Sequence, residues 1–193
     1  MRVTALFLAV IITLFFGCKS VPKPEEPEES NALTQDEIDI IDEVIDHTIV
    51  YDIKLPKEEM QVCINDAFFV YKTRYADSYE NDLMNSENYL KDGLTIDEKI
   101  ISSFIKRNMK RRTVDRDAEF VSDFFWNGDS PEKEYFRMLF SNIGFNENNT
   151  EALIYAFVDL PTWKYAKYVY LKKENGIWRY IKSISPPPLP RRT

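Results

Sequence analysis

His47 is the only histidine in the chain, so any Ser-His-Asp or Cys-His arrangement would have to use it. Its place near the end of a helical stretch instead suits a surface cation at a helix C-terminus. Ser103-Phe104-Ile105-Lys106 sets a serine three residues before a lysine, a spacing at which an amine can activate a hydroxyl. The lysine-threonine-glycine strand that completes such a site is missing, because Lys72-Thr73 is followed by Arg74. Cys18 and Cys63 are the only cysteines, and with a single histidine they cannot make a zinc site of the usual ligands. The five glycines, at positions 17, 93, 128, 144 and 176, are too scattered for a phosphate-binding loop. The 32 acidic residues leave room for a pair of carboxylates in a cleft, although no EF-hand spacing occurs. The expectation is a non-enzymatic protein with no catalytic residues, no cofactor and no metal. The alternative is a hydrolase with a carboxylate-only site in the aromatic region of the last third.

Two sets of residues could bind rather than react. Lys106, Arg107, Lys110, Arg111, Arg112 and Arg116 form the one basic cluster, placed after a predicted helix end, where cations are favoured. It is a candidate for contact with anionic lipid or envelope polymer. The second set is aromatic. Alternation places Tyr155 with Phe157, Tyr168 with Tyr170, and Trp178 with Tyr180, each pair on one face of its strand. If register aligns the pairs, one sheet face is strongly aromatic, either covered as core or open to a ligand or partner. The net charge of −7 argues against a nucleic-acid partner.

The first residues bear on the compartment. Met1-Arg2 carries one positive side chain, and Val3 to Phe16 follows without a charge. Its 14 residues fall short of the roughly 20 that a helical span needs, so the segment reads as a signal-peptide core. Phe15-Phe16-Gly17-Cys18 then resembles the lipobox of bacterial lipoproteins, although Leu14 sits one place early and the two phenylalanines are bulky. The resemblance implies cleavage after Gly17 and a lipid on Cys18, with the protein held at the bacterial cell envelope. Lys19, rather than aspartate, leans the destination toward an outer membrane where there is one. Cys63 is then the sole thiol, which reads as a small buried hydrophobe and leaves no intramolecular disulfide.

Four regions follow: a signal peptide over 1–17, a lipidated cysteine with a Pro/Glu-rich stalk over 18–33, one domain over 34–185, and a Pro-rich basic tail over 186–193. Pro22, Pro24 and Pro27 with Glu25, Glu26, Glu28 and Glu29 keep the stalk extended. The tail reads as polyproline II, and Pro187, Pro190 and Arg192 are spaced as in ligands of eukaryotic SH3 domains.

Within the domain, Thr34 and Glu37 form a capping box, and Ile38, Ile41, Val44, Ile45 and Thr48 continue one helical face. Residues 49–54 read as a short strand. A second helix is expected from Pro56 through Tyr71, then loop with a turn of helix over 75–93. Another helix runs to Asn108 from a capping box at Thr95 and Glu98. Short helices are expected over 118–126 and after Ser130-Pro131, the latter carrying Tyr135 and Phe136. Strands are expected over 138–145, 151–160, 165–173 and 177–184, with Asn175-Gly176 as a hairpin turn. The predicted class is α+β, with N-terminal helices packed on a C-terminal four-stranded antiparallel meander.

Ser141-Asn142-Ile143-Gly144-Phe145-Asn146, Glu151-Ala152-Leu153-Ile154-Tyr155 and Val169 through Trp178 resemble a pattern in uncharacterised bacterial secreted and lipoprotein domains. Phe104 to Asn108 is similar to a further segment of those proteins. The resemblance carries no activity with it, and the scarcity of glycine, the single histidine and the lack of a catalytic motif lead to the expectation of a membrane-anchored, non-enzymatic binding or structural module.

Overall fold

The computed structural model describes residues 31–54, 62–64, 67–68, 79–109, 112–116, 124–126, 136–161 and 163–186. Among them are three α-helices: α1 (Gln35–His47), α2 (Tyr79–Leu94) and α3 (Glu98–Asn108). The strands are β1 (Val62–Ile64), β2 (Ala67–Phe68), β3 (Arg112–Thr113), β4 (Phe124–Trp126), β5 (Phe136–Phe140), β6 (Gly144–Phe145), β7 (Glu151–Asp159), β8 (Lys164–Glu174) and β9 (Ile177–Ile184). The class is α+β, as expected, with the described helices ahead of the long strands.

The sheet is mixed rather than purely antiparallel. Its order is β4-β1-β5-β7-β8-β9, with β6 also paired to β7, and β2 pairs with β3 in a separate ribbon. The C-terminal meander is present in β5 to β9, where every pairing is antiparallel. β1 runs parallel to both β4 and β5. The helices expected over 56–71 and 118–126 are corrected here, because their described residues are strands. Val62, Cys63 and Ile64 are all buried. A strand covered on both faces has apolar residues in every position, and a short run of that kind looks the same as one side of a helix. Likewise Phe136 opens β5 instead of lying on a helix.

The sheet is the middle of three layers. Ile40, Ile41, Val44 and Ile45 of α1 pack against Ala152, Ile154, Ala156 and Val158 of β7 and Val169 and Leu171 of β8. On the opposite face, Leu90 and Leu94 of α2 and Ile100, Ile101, Phe104 and Ile105 of α3 cover Leu153, Tyr155, Tyr168 and Tyr170. Strand alternation thus feeds two separate cores.

The capping box opens α1 as predicted: Thr34 accepts from the Glu37 amide, and the Glu37 carboxylate accepts from the Thr34 amide. The residues after α1 form no strand. Thr48–Ile53 winds as a π-helix, closed by the Lys54 amide donating to the Ile49 carbonyl at 2.9 Å with Lys54 left-handed. Thr48-Ile49-Val50 is β-branched and reads as extended. Burial of Ile49 against the α1 core keeps the chain winding instead. α2 occupies much of the segment expected as loop. α3 is capped by Asp97, whose carboxylate accepts from the Lys99 amide, and Thr95 takes a left-handed φ of 50° after α2.

One close approach fixes α3 on the sheet. A Cβ on Gly144 would stand 2.5 Å from the Phe104 backbone. Asn108 and Asn142 lock the same contact: the Asn108 amide group donates to the Asn142 carbonyl at 2.8 Å, and the Asn142 backbone amide donates to Asn108 Oδ1 at 2.9 Å. Asn142 Nδ2 also donates to the Arg107 carbonyl at the end of α3. Gly144→Ala should therefore destabilise the protein by about 1–3 kcal/mol through forced separation of α3 from β6. Urea unfolding of the two proteins measures it, and equal midpoints would contradict the contact.

Candidate functional site

The predicted basic cluster does not present itself as one surface. Arg112 is 7 % exposed and donates from Nη1 to Glu37 Oε1 at 2.8 Å and from Nη2 to the Ala32 carbonyl at 2.7 Å. Arg107 donates to Glu37 Oε1 at 3.1 Å and to the Ile143 carbonyl at 2.6 Å. Two of the six cations are thus committed to one buried carboxylate, which corrects their assignment to an anionic surface. Lys106 and Arg116 are exposed, whereas Lys110 and Arg111 lie outside the described residues. Glu37 was legible as a helix cap, but not as the partner of arginines some 70 positions away.

Burial pushes the Glu37 carboxyl up. The Arg112 and Thr34 hydrogen bonds and the charges of Arg112 and Arg107 outweigh it and leave the group below the usual carboxylate range. Asp36 beside it accepts from Lys173 Nζ at 2.5 Å and Trp178 Nε1 at 3.1 Å. Burial raises it, and these bonds more than compensate. Both acids line an open depression of about 470 Å³ with Arg107 and Phe145. A general acid needs a raised pKa. This pair is held ionised, which does not favour the carboxylate-only hydrolase at this depression.

The aromatic pairs separate between the faces. Tyr155, Tyr168 and Tyr170 are buried under α2 and α3, with Phe157 half-buried beside them. Trp178 is buried and Tyr180 half-buried on the α1 side. The hairpin register causes the split: the two-residue turn at Asn175-Gly176 pairs Trp178 with Lys173 and Tyr180 with Leu171, on the face opposite Tyr168 and Tyr170. Tyr170 faces Lys182 while Leu171 faces Tyr180, so β9 carries an extra residue at Ile181 and its alternation reverses. The three pairs do not share one face, and of the two readings, covered core or open surface, most of these rings take the first.

The richest titratable cluster sits where the π-helix meets β8 and β9. Asp52 Oδ2 accepts from Lys167 Nζ at 2.6 Å and from the Tyr165 hydroxyl at 2.9 Å. The Lys167 side chain is 5 % exposed, and that of Asp52 is 28 % exposed. Nζ lies 5.3 Å from the centre of the Tyr180 ring. The same ring stacks on His47 at 3.5 Å, and His47 meets Tyr51 at 4.5 Å. Trp163 stacks on Tyr165 at 4.7 Å. Glu43 of α1 accepts from the Tyr180 amide at 2.9 Å. π-helical turns occur frequently at functional sites, and this one aims Asp52 at the sheet.

Burial pushes the Lys167 ammonium down, and the Asp52 bond and charge restore it only in part. Burial and the neighbouring Asp52 raise the Tyr165 phenol far above its ordinary value, so it stays a hydrogen-bond donor. Burial also lowers His47, and the Lys167 charge lowers it further against the opposing pull of Asp52 and Glu43. Its Nδ1 is buried with no hydrogen-bond partner among the described residues. His47 is a stacked ring rather than the surface cation the sequence suggested. Cys63 is a buried thiol in β1, in keeping with a small hydrophobe. Ser103 Oγ accepts from the Phe145 amide, which gives it a structural duty. Among the described residues no group of acids, histidines and cysteines is arranged to hold a metal, and no helix is long and apolar enough to cross a membrane. Gly17 and Cys18 lie outside the described residues.

No protein-family model matches the chain, and comparison with curated proteins and with solved structures returns no match.

Two predictions rest on these geometries. Glu37→Gln should cost about 3–5 kcal/mol, because Arg112 is left buried without its counter-ion. The folded carboxyl lies below the unfolded value of about 4.3. Its stabilisation is complete above that value and is lost as pH falls through the folded pKa. The variant should show a flatter acid limb in urea unfolding measured across pH, and an unchanged limb would contradict the pairing. His47 should titrate below the ordinary histidine value of about 6.5. As the sole histidine its imidazole NMR signals are unambiguous, and a midpoint at or above 6.5 would count against the stacked, desolvated ring.

Proposed function

We propose that this chain is a lipid-anchored lipoprotein of the bacterial cell envelope whose α+β domain is a non-enzymatic binding or structural module. The observation that carries this reading is Gly17-Cys18 at the end of the charge-free stretch 3–16, followed by a Pro/Glu stalk. Its resemblance to the lipobox implies a lipid thioether on Cys18. Each buried CH₂ adds about 0.8 kcal/mol of membrane affinity, so two acyl chains hold firmly. Lys19 after the cysteine leans toward the outer membrane, and the partners are the membrane and an envelope protein or polymer.

The organisation of the domain supports a module held away from the bilayer. The chain joins it at Asn31–Leu33, where the Asn31 carbonyl accepts from the Asp115 amide at 3.1 Å and the Ala32 carbonyl accepts from Arg112. Asp36, Glu37 and Lys167 are each tied to internal counter-ions, which suits a rigid scaffold more than a reacting centre.

Metabolic labelling with a clickable fatty acid tests the anchor. The wild-type protein should take up label and fractionate with membranes, and Cys18→Ser should lose both. Label retained in the variant would overturn the assignment.

A further inference from the structure

We propose that the exposed rings of Tyr51 and Trp163, together with Asp52 and Lys167, form a binding site for an uncharged pyranose oligosaccharide. The proposal deepens the binding-module reading by naming a ligand class, and it is independent of whether Cys18 carries lipid.

Tyr51 is 63 % exposed and Trp163 46 % exposed. Neither is a loose side chain. Tyr51 lies against His47, which stacks on Tyr180, and Trp163 lies nearly parallel to Tyr165 at 13°. Each exposed ring is thus backed by another, and the backing rings meet through the Asp52–Lys167 pair. Pre-positioned rings lose little freedom on binding, which lowers the cost of capturing a ligand.

The chemistry of the array selects the ligand. A pyranose ring presents a face of C–H groups with partial positive charge, which suits the negative face of an aromatic ring. Its hydroxyls need donors and acceptors at the edge. The Tyr165 and Lys167 bonds to Asp52 both fall on Oδ2, which leaves Oδ1 as an acceptor for a ligand hydroxyl. One cation and one anion leave the pair without net charge, which favours an uncharged ligand over a phosphate or a polycation. Val50, 50 % exposed, adds an apolar rim on the same π-helix. The rings sit on the π-helix and at the β7–β8 turn and are open to solvent, an arrangement suited to a length of chain rather than an enclosed small molecule.

The test is calorimetric titration of the full-length protein, in a detergent that carries no sugar, with chitotetraose, cellotetraose and maltotetraose. At least one should bind, and Trp163→Ala and Tyr51→Ala should each weaken it about tenfold or more. Both side chains are exposed, so melting temperature and circular dichroism should stay close to wild type and show that folding is intact. Absence of binding to all three, or binding that either substitution leaves unchanged, would overturn the proposal. Labelling at Cys18 reads out the anchor separately, so a failed titration and a failed anchor are distinguishable.

Discussion

A carboxylate buried to 2 % exposure inside a small domain has to find its counter-charge from the protein itself, and Glu37 finds it from two directions. Arg107 brings the last turn of α3, and Arg112 brings β3 together with the chain entering at Ala32. Glu37 caps α1 at the same time. Two stretches distant in sequence, 32–37 and 107–112, therefore share one ionic junction beside the α1 core. Apolar packing alone is non-directional. The bidentate reach of arginine gives the helices a defined position along the sheet. Asp36, one residue earlier, binds the β8–β9 hairpin through Lys173 and Trp178, so the first turn of α1 is the hub from which both sides of the fold are set.

What was legible in the sequence follows the range of the interactions. Local signals were sound: the Thr34 cap, the face of α1, the end of α3 and the Asn175-Gly176 turn, where both residues take positive φ. The long strands β7, β8 and β9 alternate strongly enough to be read directly. Failures gather where tertiary burial overrides local preference. β1 is covered on both faces and mimics a helix, while Ile49 is drawn into a π-helix by the core it fills. The Ser141-Asn142-Ile143-Gly144 segment was recognisable as a pattern. Its meaning, a place where α3 and the sheet touch through backbone, could emerge only with Phe104 beside it.

The candidate site was less legible than the fold for a similar reason. His47, Asp52, Trp163, Tyr165, Lys167 and Tyr180 are unremarkable as a list, and the first two are more than a hundred positions from the others. The Asn175-Gly176 turn sets Tyr180 across from Leu171 and so on the face opposite Tyr170, a consequence of register that alternation within each strand does not reveal by itself. The charged clusters deceived in the other direction. A run of cations looks like a surface in sequence, yet Arg107 and Arg112 are spent on Glu37.

The pinned entry of the chain has a mechanical side. Asn31 and Ala32 are held by the Asp115 amide and the Arg112 guanidinium, and Arg112 in turn grips α1 through Glu37. A pull on the chain at Asn31 would be met first by these polar bonds, not by the strand ladders. Load would spread through a charged joint into α1 and α3 together, so this junction would work as a strain relief that shields the sheet.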